Sequence, residues 1–90
     1  MDQKLLKDTI LGLEKMCDLF YQDKIQVAYG ELNSLLMNLE KVISMFAEEE
    51  QEHIKDKLME ALDALEQQDF TLYADIMNYE IKELLGNYAE

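Results

Sequence analysis

Ala47-Glu48-Glu49-Glu50-Gln51-Glu52-His53 is the stretch that decides the architecture of this chain. On its N-terminal side Ile25, Tyr29, Leu32, Leu36, Leu39, Ile43 and Phe46 recur at alternating steps of four and three, the rhythm of an amphipathic helix. On its C-terminal side Ile54, Leu58, Ala61 and Leu65 take up the same rhythm, with Met59 and Leu62 beside them. Between the two the apolar stripe is broken for about two helical turns, without glycine or proline. One helix from Asp23 to Gln67 would far exceed the usual globular length, so a turn is expected here, with helices on both sides.

Two further segments complete the pattern. Near the N-terminus, Leu6, Ile10, Leu13, Cys17 and Phe20 form one stripe, widened by Leu5, Met16 and Leu19, with Asp2 placed to cap it. Toward the C-terminus, Phe70, Tyr73, Met77, Ile81, Leu84 and Tyr88 form another, with Leu72, Ile76 and Tyr79 on a neighbouring stripe. Asp69 can cap that segment, and Gly86-Asn87 can end it through a left-handed residue. Asp23 followed by Gln26 reads as a capping box for the second segment. Ala28, Leu35 and Val42 run alongside that segment's main stripe, so it carries enough apolar surface for more than one neighbour. Laying Asp23 over Asp69 also superposes Gln22 on Gln68 and Ala28 on Ala74, an echo that two hairpins with similar turns would produce. The expected fold is all-α: an antiparallel four-helix bundle built from two helical hairpins, with helices at 3–21, 24–46, 51–67 and 70–85 in one domain of residues 1–90.

Composition narrows the function. The 20 acidic residues face 8 basic ones, all lysine, for a formal charge of −12. Most of the excess lies in residues 48–90, where three lysines meet thirteen acids. Without arginine the chain lacks the planar fork that reads phosphate and guanine, which argues against nucleic acid as a partner. A lone cysteine, Cys17, cannot close an internal disulfide and fits a reducing compartment. Neither a secretory leader nor a run of roughly 18–20 apolar residues is present, so a cytoplasmic location without membrane contact is expected.

Chemical motifs are few. Glu50 and His53 have the Glu-x-x-His spacing of carboxylate-bridged metal bundles, but His53 is the only histidine and the pair lies in the polar break. Gly30-Glu31-Leu32-Asn33-Ser34-Leu35 invites comparison with the prosthetic-group serine of acyl carrier proteins, yet Ser34 falls inside an unbroken stripe rather than at a helix start. Cys17 has no histidine or arginine adjacent to activate it, and reads as a small core residue. Asp75 and Glu80 flank the apolar face of the fourth segment, placed to pair with a lysine, cap a neighbour or fix a partner's register. No catalytic residue, metal site or cofactor is expected.

The stretch from Ala61 to Ile81, ending Asp69-Phe70-Thr71-Leu72-Tyr73-Ala74-Asp75-Ile76-Met77-Asn78-Tyr79-Glu80-Ile81, resembles the end of small acidic helical proteins of Gram-positive bacteria. That resemblance covers the last third of the chain; it implies a packed helical hairpin and brings no activity with it. In size, acidity and helicity the whole chain is also similar to flagellar export chaperones, which hold a partner's amphipathic helix. Together with the surplus apolar positions, this leads to the expectation of a non-enzymatic interaction module, adaptor or chaperone-like, that buries a partner helix or its own copy. Tyr29, Leu36, Leu72, Ile76 and Tyr79 are the expected contacts, and a homo-oligomer is one form such a module could take. The alternative is an acidic regulator that meets a basic protein surface through Glu48, Glu49, Glu50 and Glu52.

Overall fold

Asp2 begins the first helix as its sequence position implies, its Oδ1 accepting from the Leu5 N–H at 3.0 Å. The structure is a computed structural model that describes residues 1–90. Helix α1 spans Gln3–Tyr21, α2 spans Ile25–Ile43 and α3 spans Glu48–Glu66. The fourth helix is continuous in three stretches: α4 (Phe70–Asp75), a π-helical turn (Ile76–Ile81) and α5 (Lys82–Gly86). There are no strands, and the helices pack as a compact bundle of two hairpins, α1 with α2 and α3 with the fourth helix. No helix is long and apolar enough to cross a membrane.

Both hairpins turn by the same device. At the end of α1, Asp23 takes a left-handed φ of 61°. Its N–H then donates to Phe20 O at 3.0 Å, and the Lys24 N–H reaches Leu19 O at 2.9 Å. At the end of α3, Gln68 takes the same φ. Gln68 N–H donates to Leu65 O at 3.0 Å, and Asp69 N–H to Ala64 O at 2.9 Å. Each set of bonds satisfies carbonyls that a helix end would otherwise leave open. The two turns therefore correspond through Asp23 and Gln68, one residue away from the Asp23–Asp69 alignment. Asp23 is also not the start of a capping box: α2 begins after Lys24 without a side-chain cap. A left-handed backbone points the aspartate away from the amides it would have to accept from. Asp69 does cap, accepting from Leu72 N–H at 3.1 Å.

The break between α2 and α3 is real but lies earlier than the acidic stretch. Ser44–Ala47 make the turn, and Glu48, Glu49 and Glu50 form the first turn of α3. Carboxylates are favoured there by the partial positive charge of a helix N-terminus. Gln51 Nε2 reaches back to Phe46 O at 2.8 Å and ties the turn to the helix. Gly86 and Asn87 do not end the last helix in a left-handed conformation: no glycine has positive φ, and Asn87 stays right-handed at φ −62°.

Twenty buried apolar residues form one core shared by all the helices. On α1 the buried residues are Leu6, Thr9, Leu13, Met16, Cys17 and Phe20. On α2 the buried stripe is Ala28, Leu35, Leu39, Val42 and Ile43, which leaves Ile25, Leu32 and Leu36 half-buried and Tyr29 exposed. On the fourth helix Tyr73, Met77, Ile81 and Leu85 are fully buried although each is four residues from the next. In a regular α-helix a four-residue step overshoots a full turn by about 40°. The π turn, marked by the bond from Lys82 N–H to Met77 O, is wound more loosely and removes that drift. Its consequence is that Leu85 rather than Leu84 enters the core.

Candidate functional site

α1 sits against α2 on one side and the fourth helix on the other, and α3 packs on the fourth helix. The remaining edge, between α2 and α3, has almost no close backbone approach. Side chains do not close it either. A groove of about 360 Å³ runs there, lined by Leu36, Glu40, Ile43, Ser44, Gln51, Lys55, Leu58 and Leu62. Leu36, Leu58 and Leu62 are only half-buried, whereas Ile43 forms part of the core floor.

The groove follows from the choice of stripe on α2. Ala28, Leu35 and Val42 are buried in the core, and Leu36 and Ile43 on the neighbouring stripe line the groove with Leu58 and Leu62 of α3. An aromatic group closes the far end of the bundle. Phe20 stacks on Phe70 at 5.7 Å between ring centroids, and Tyr29 meets both edge-on at 6.1 Å. At the opposite end Phe46 stacks on Tyr88 at 4.5 Å.

The five expected contact residues do not share one surface. Leu36 lines the groove, while Tyr29, on the same stripe of α2, packs edge-on against Phe20 and Phe70 at the end of the bundle. Leu72 lies on the other side of α3, in a shallow depression with Glu60, Asp63, Gln67 and Glu80. Ile76 opens onto the same depression but is only 8 % exposed and belongs to the core. Tyr79, 64 % exposed, stands apart on the π turn. Leu58 and Leu62, which face Leu36 across the groove, were legible as the stripe and flank of the third segment but not as its exposed side.

Asp75 and Glu80 have structural partners. The Tyr21 hydroxyl donates to Asp75 Oδ1 at 2.5 Å, joining α1 to the fourth helix. Partial burial, then this hydrogen bond, raises the Tyr21 phenol above its ordinary range. Glu80 Oε1 pairs with Lys57 Nζ at 3.2 Å across the α3 interface. Cys17 is buried, its thiol donating to Ala74 O at 3.6 Å. Burial, reinforced by the Asp18 charge, pushes the thiol up to about 12. Glu50, His53 and Ser34 are all exposed, and no group of three or more His, Cys, Asp or Glu side chains converges as metal ligands would.

A family profile for a domain of unknown function (DUF8042) matches residues 3–90. The chain belongs to the DUF8042 family. Comparison with curated proteins and with solved structures finds no match. The DUF8042 match spans both hairpins, so the open α2–α3 edge lies within the region that defines the family.

Proposed function

We propose that the chain is a non-enzymatic protein–protein interaction module, adaptor or chaperone-like, acting in a bacterial cytoplasm. It buries a helix of a partner, or of a second copy of itself, along the edge between α2 and α3. The observation that carries this reading is Leu36, an apolar residue of α2 that stands outside the core. Leu36 faces Leu58 and Leu62 across an open groove instead of interlocking with them. A groove beside two 19-residue helices, each about 28 Å long, has the shape into which an amphipathic helix lays its apolar face. Burying three half-exposed leucines would contribute on the order of 1 kcal/mol each.

The test pairs the parent chain with Leu36→Asp and Leu58→Asp variants whose helical content is shown to be intact. Each is used to recover partners from lysate of the source organism, and each is sedimented alone. A partner, or a dimer, kept by the parent and lost by both variants supports the reading. Equal behaviour of parent and variants removes the groove from consideration.

A further inference from the structure

We propose that the occupant of the α2–α3 groove is a cationic amphipathic helix: its apolar face enters the groove and its lysines or arginines meet carboxylates on the rim of α3. This rests on the groove reading above and assigns the class of partner. The floor is apolar, through Leu36, Ile43, Leu58 and Leu62. The rim is not. Along α3, Glu48 lies seven residues before Lys55 and Glu66 four after Leu62, which sets both beside the groove wall, while Glu52 stands on the outward face of the helix. All three are exposed, and Glu40 adds a carboxylate on the α2 wall.

These carboxylates are uncompensated. The ion pairs of the molecule join Lys15 to Glu31, Lys57 to Glu60 and Glu80, and Lys82 to Glu14. None reaches Glu40, Glu48, Glu52 or Glu66, and Lys55 is the one basic residue lining the groove. A second copy of the chain would bring another formal charge of −12 to the same edge, which like-charge repulsion opposes. A cationic helix gains from Glu40, Glu48 and Glu66. Met37 and Met59, both more than 60 % exposed, stand on the outward faces of α2 and α3 next to the groove walls. Met37 lies three residues before Glu40, and Met59 four after Lys55. Unbranched and polarisable, methionines suit a surface that must fit helices of differing sequence.

The test uses the full chain and two labelled peptides of about 18 residues, enough to span the edge at ~1.5 Å per residue. Both carry leucine at i, i+3, i+4 and i+7; one has lysine at the remaining positions, the other glutamine. The chain has no tryptophan, so Leu36→Trp supplies a reporter inside the groove. The lysine peptide is expected to bind about tenfold more tightly than the glutamine peptide at low salt, with the gap narrowing toward ~0.5 M salt. The introduced indole should shift its emission to the blue as it is covered. Glu40→Gln, Glu48→Gln and Glu66→Gln together, all at exposed positions, should erase most of the gap and leave the glutamine peptide unaffected.

Equal binding of the two peptides would overturn the charge assignment while leaving the groove reading intact. Tight lysine-peptide binding with no change at the indole would place the peptide elsewhere and overturn the proposal. Binding of neither peptide would remove both readings. A dimer in sedimentation that Leu36→Asp dissociates would make the second copy the occupant and overturn the cationic partner.

Discussion

Deleting Tyr79 is expected to leave the fold's stability nearly unchanged, whereas deleting Lys15 is expected to remove a large share of it. Both residues are exposed and both lie inside long helices, so a reading based on exposure alone would treat them alike. The difference lies in winding. Tyr73, Met77, Ile81 and Leu85 are buried at four-residue intervals, which in regular α-helix would spread the first and last by about 120°. The π turn at Ile76–Ile81 gathers them onto one side. Removing Tyr79 changes the intervals to four, three and four, which in an ordinary α-helix leaves the first and last about 20° apart. The variant can then lose the π turn and keep its core. α1 has no such slack. Removing Lys15 rotates Leu6, Thr9 and Leu13 by about 100° relative to Met16, Cys17 and Phe20, so one set leaves the core. Losing the burial of two large side chains costs about 3–6 kcal/mol at ~1.5–3 kcal/mol each. A domain of this size has roughly 5–13 kcal/mol in total. Urea unfolding followed by helical circular dichroism measures both variants. The Tyr79 deletion should stay within about 1 kcal/mol of the parent, since its side chain is largely in solvent. A loss comparable to that of the Lys15 deletion would refute the register argument.

Three more outcomes are expected from the backbone at the turns, a helical glycine and the buried thiol. Gln68→Gly should stabilise by about 0.5–1 kcal/mol in thermal unfolding, because glycine relieves a left-handed backbone at φ 61°; Asp23→Gly should gain less, since aspartate tolerates that region better. Gly30→Ala should also stabilise, by about 0.5–1 kcal/mol, as a methyl group there meets nothing within 4 Å and the position is helical. Stability should fall as pH rises from 9.0 to about 12, because the unfolded chain ionises Cys17 near its usual value while burial keeps the folded thiol protonated; Cys17→Ala should flatten that decline, and native Cys17 should resist thiol reagents at pH 8 until the chain unfolds.

Periodicity made the helices legible because it reports a property each helix carries alone. It could not choose between two adjacent apolar stripes on α2. Ile25 to Phe46 gave the longer regular series, yet Ala28, Leu35 and Val42 are buried throughout, while Tyr29 and Leu36 of that series are not. Leu35 reaches toward Gly12 of α1, and that approach depends on the partner helix rather than on α2 itself. The same limit explains Leu85. An α-helical count from Met77 leads to Leu84, and only the π turn, required by contacts on both sides of the fourth helix, moves the count by one. Asp23 was misread because aspartate is favoured both as an N-cap and in the left-handed region, and the two roles fall within one residue of each other in a tight hairpin. Asp69, at the matching position after Gln68, does cap. For the groove, the surplus of apolar residues was legible; which edge would carry it was not, since that depends on α2 and α3 failing to meet.

The position of α1 has a consequence for how the chain is made. Cys17 meets Ala74, and Met16 meets Tyr73, across 57 residues of sequence. At a synthesis rate of ~5–20 residues per second, roughly 3–11 s separate the emergence of those partners. During that interval α1 and α2 can pair, but the face of α1 destined for the fourth helix has nothing to cover it. A first hairpin formed in that interval stands with Met16 and Cys17 bare. A destabilising change in α1 or α2 would act on that nascent intermediate before it acted on the finished protein, and would lower yield more than it lowered the melting temperature of the molecules that survive.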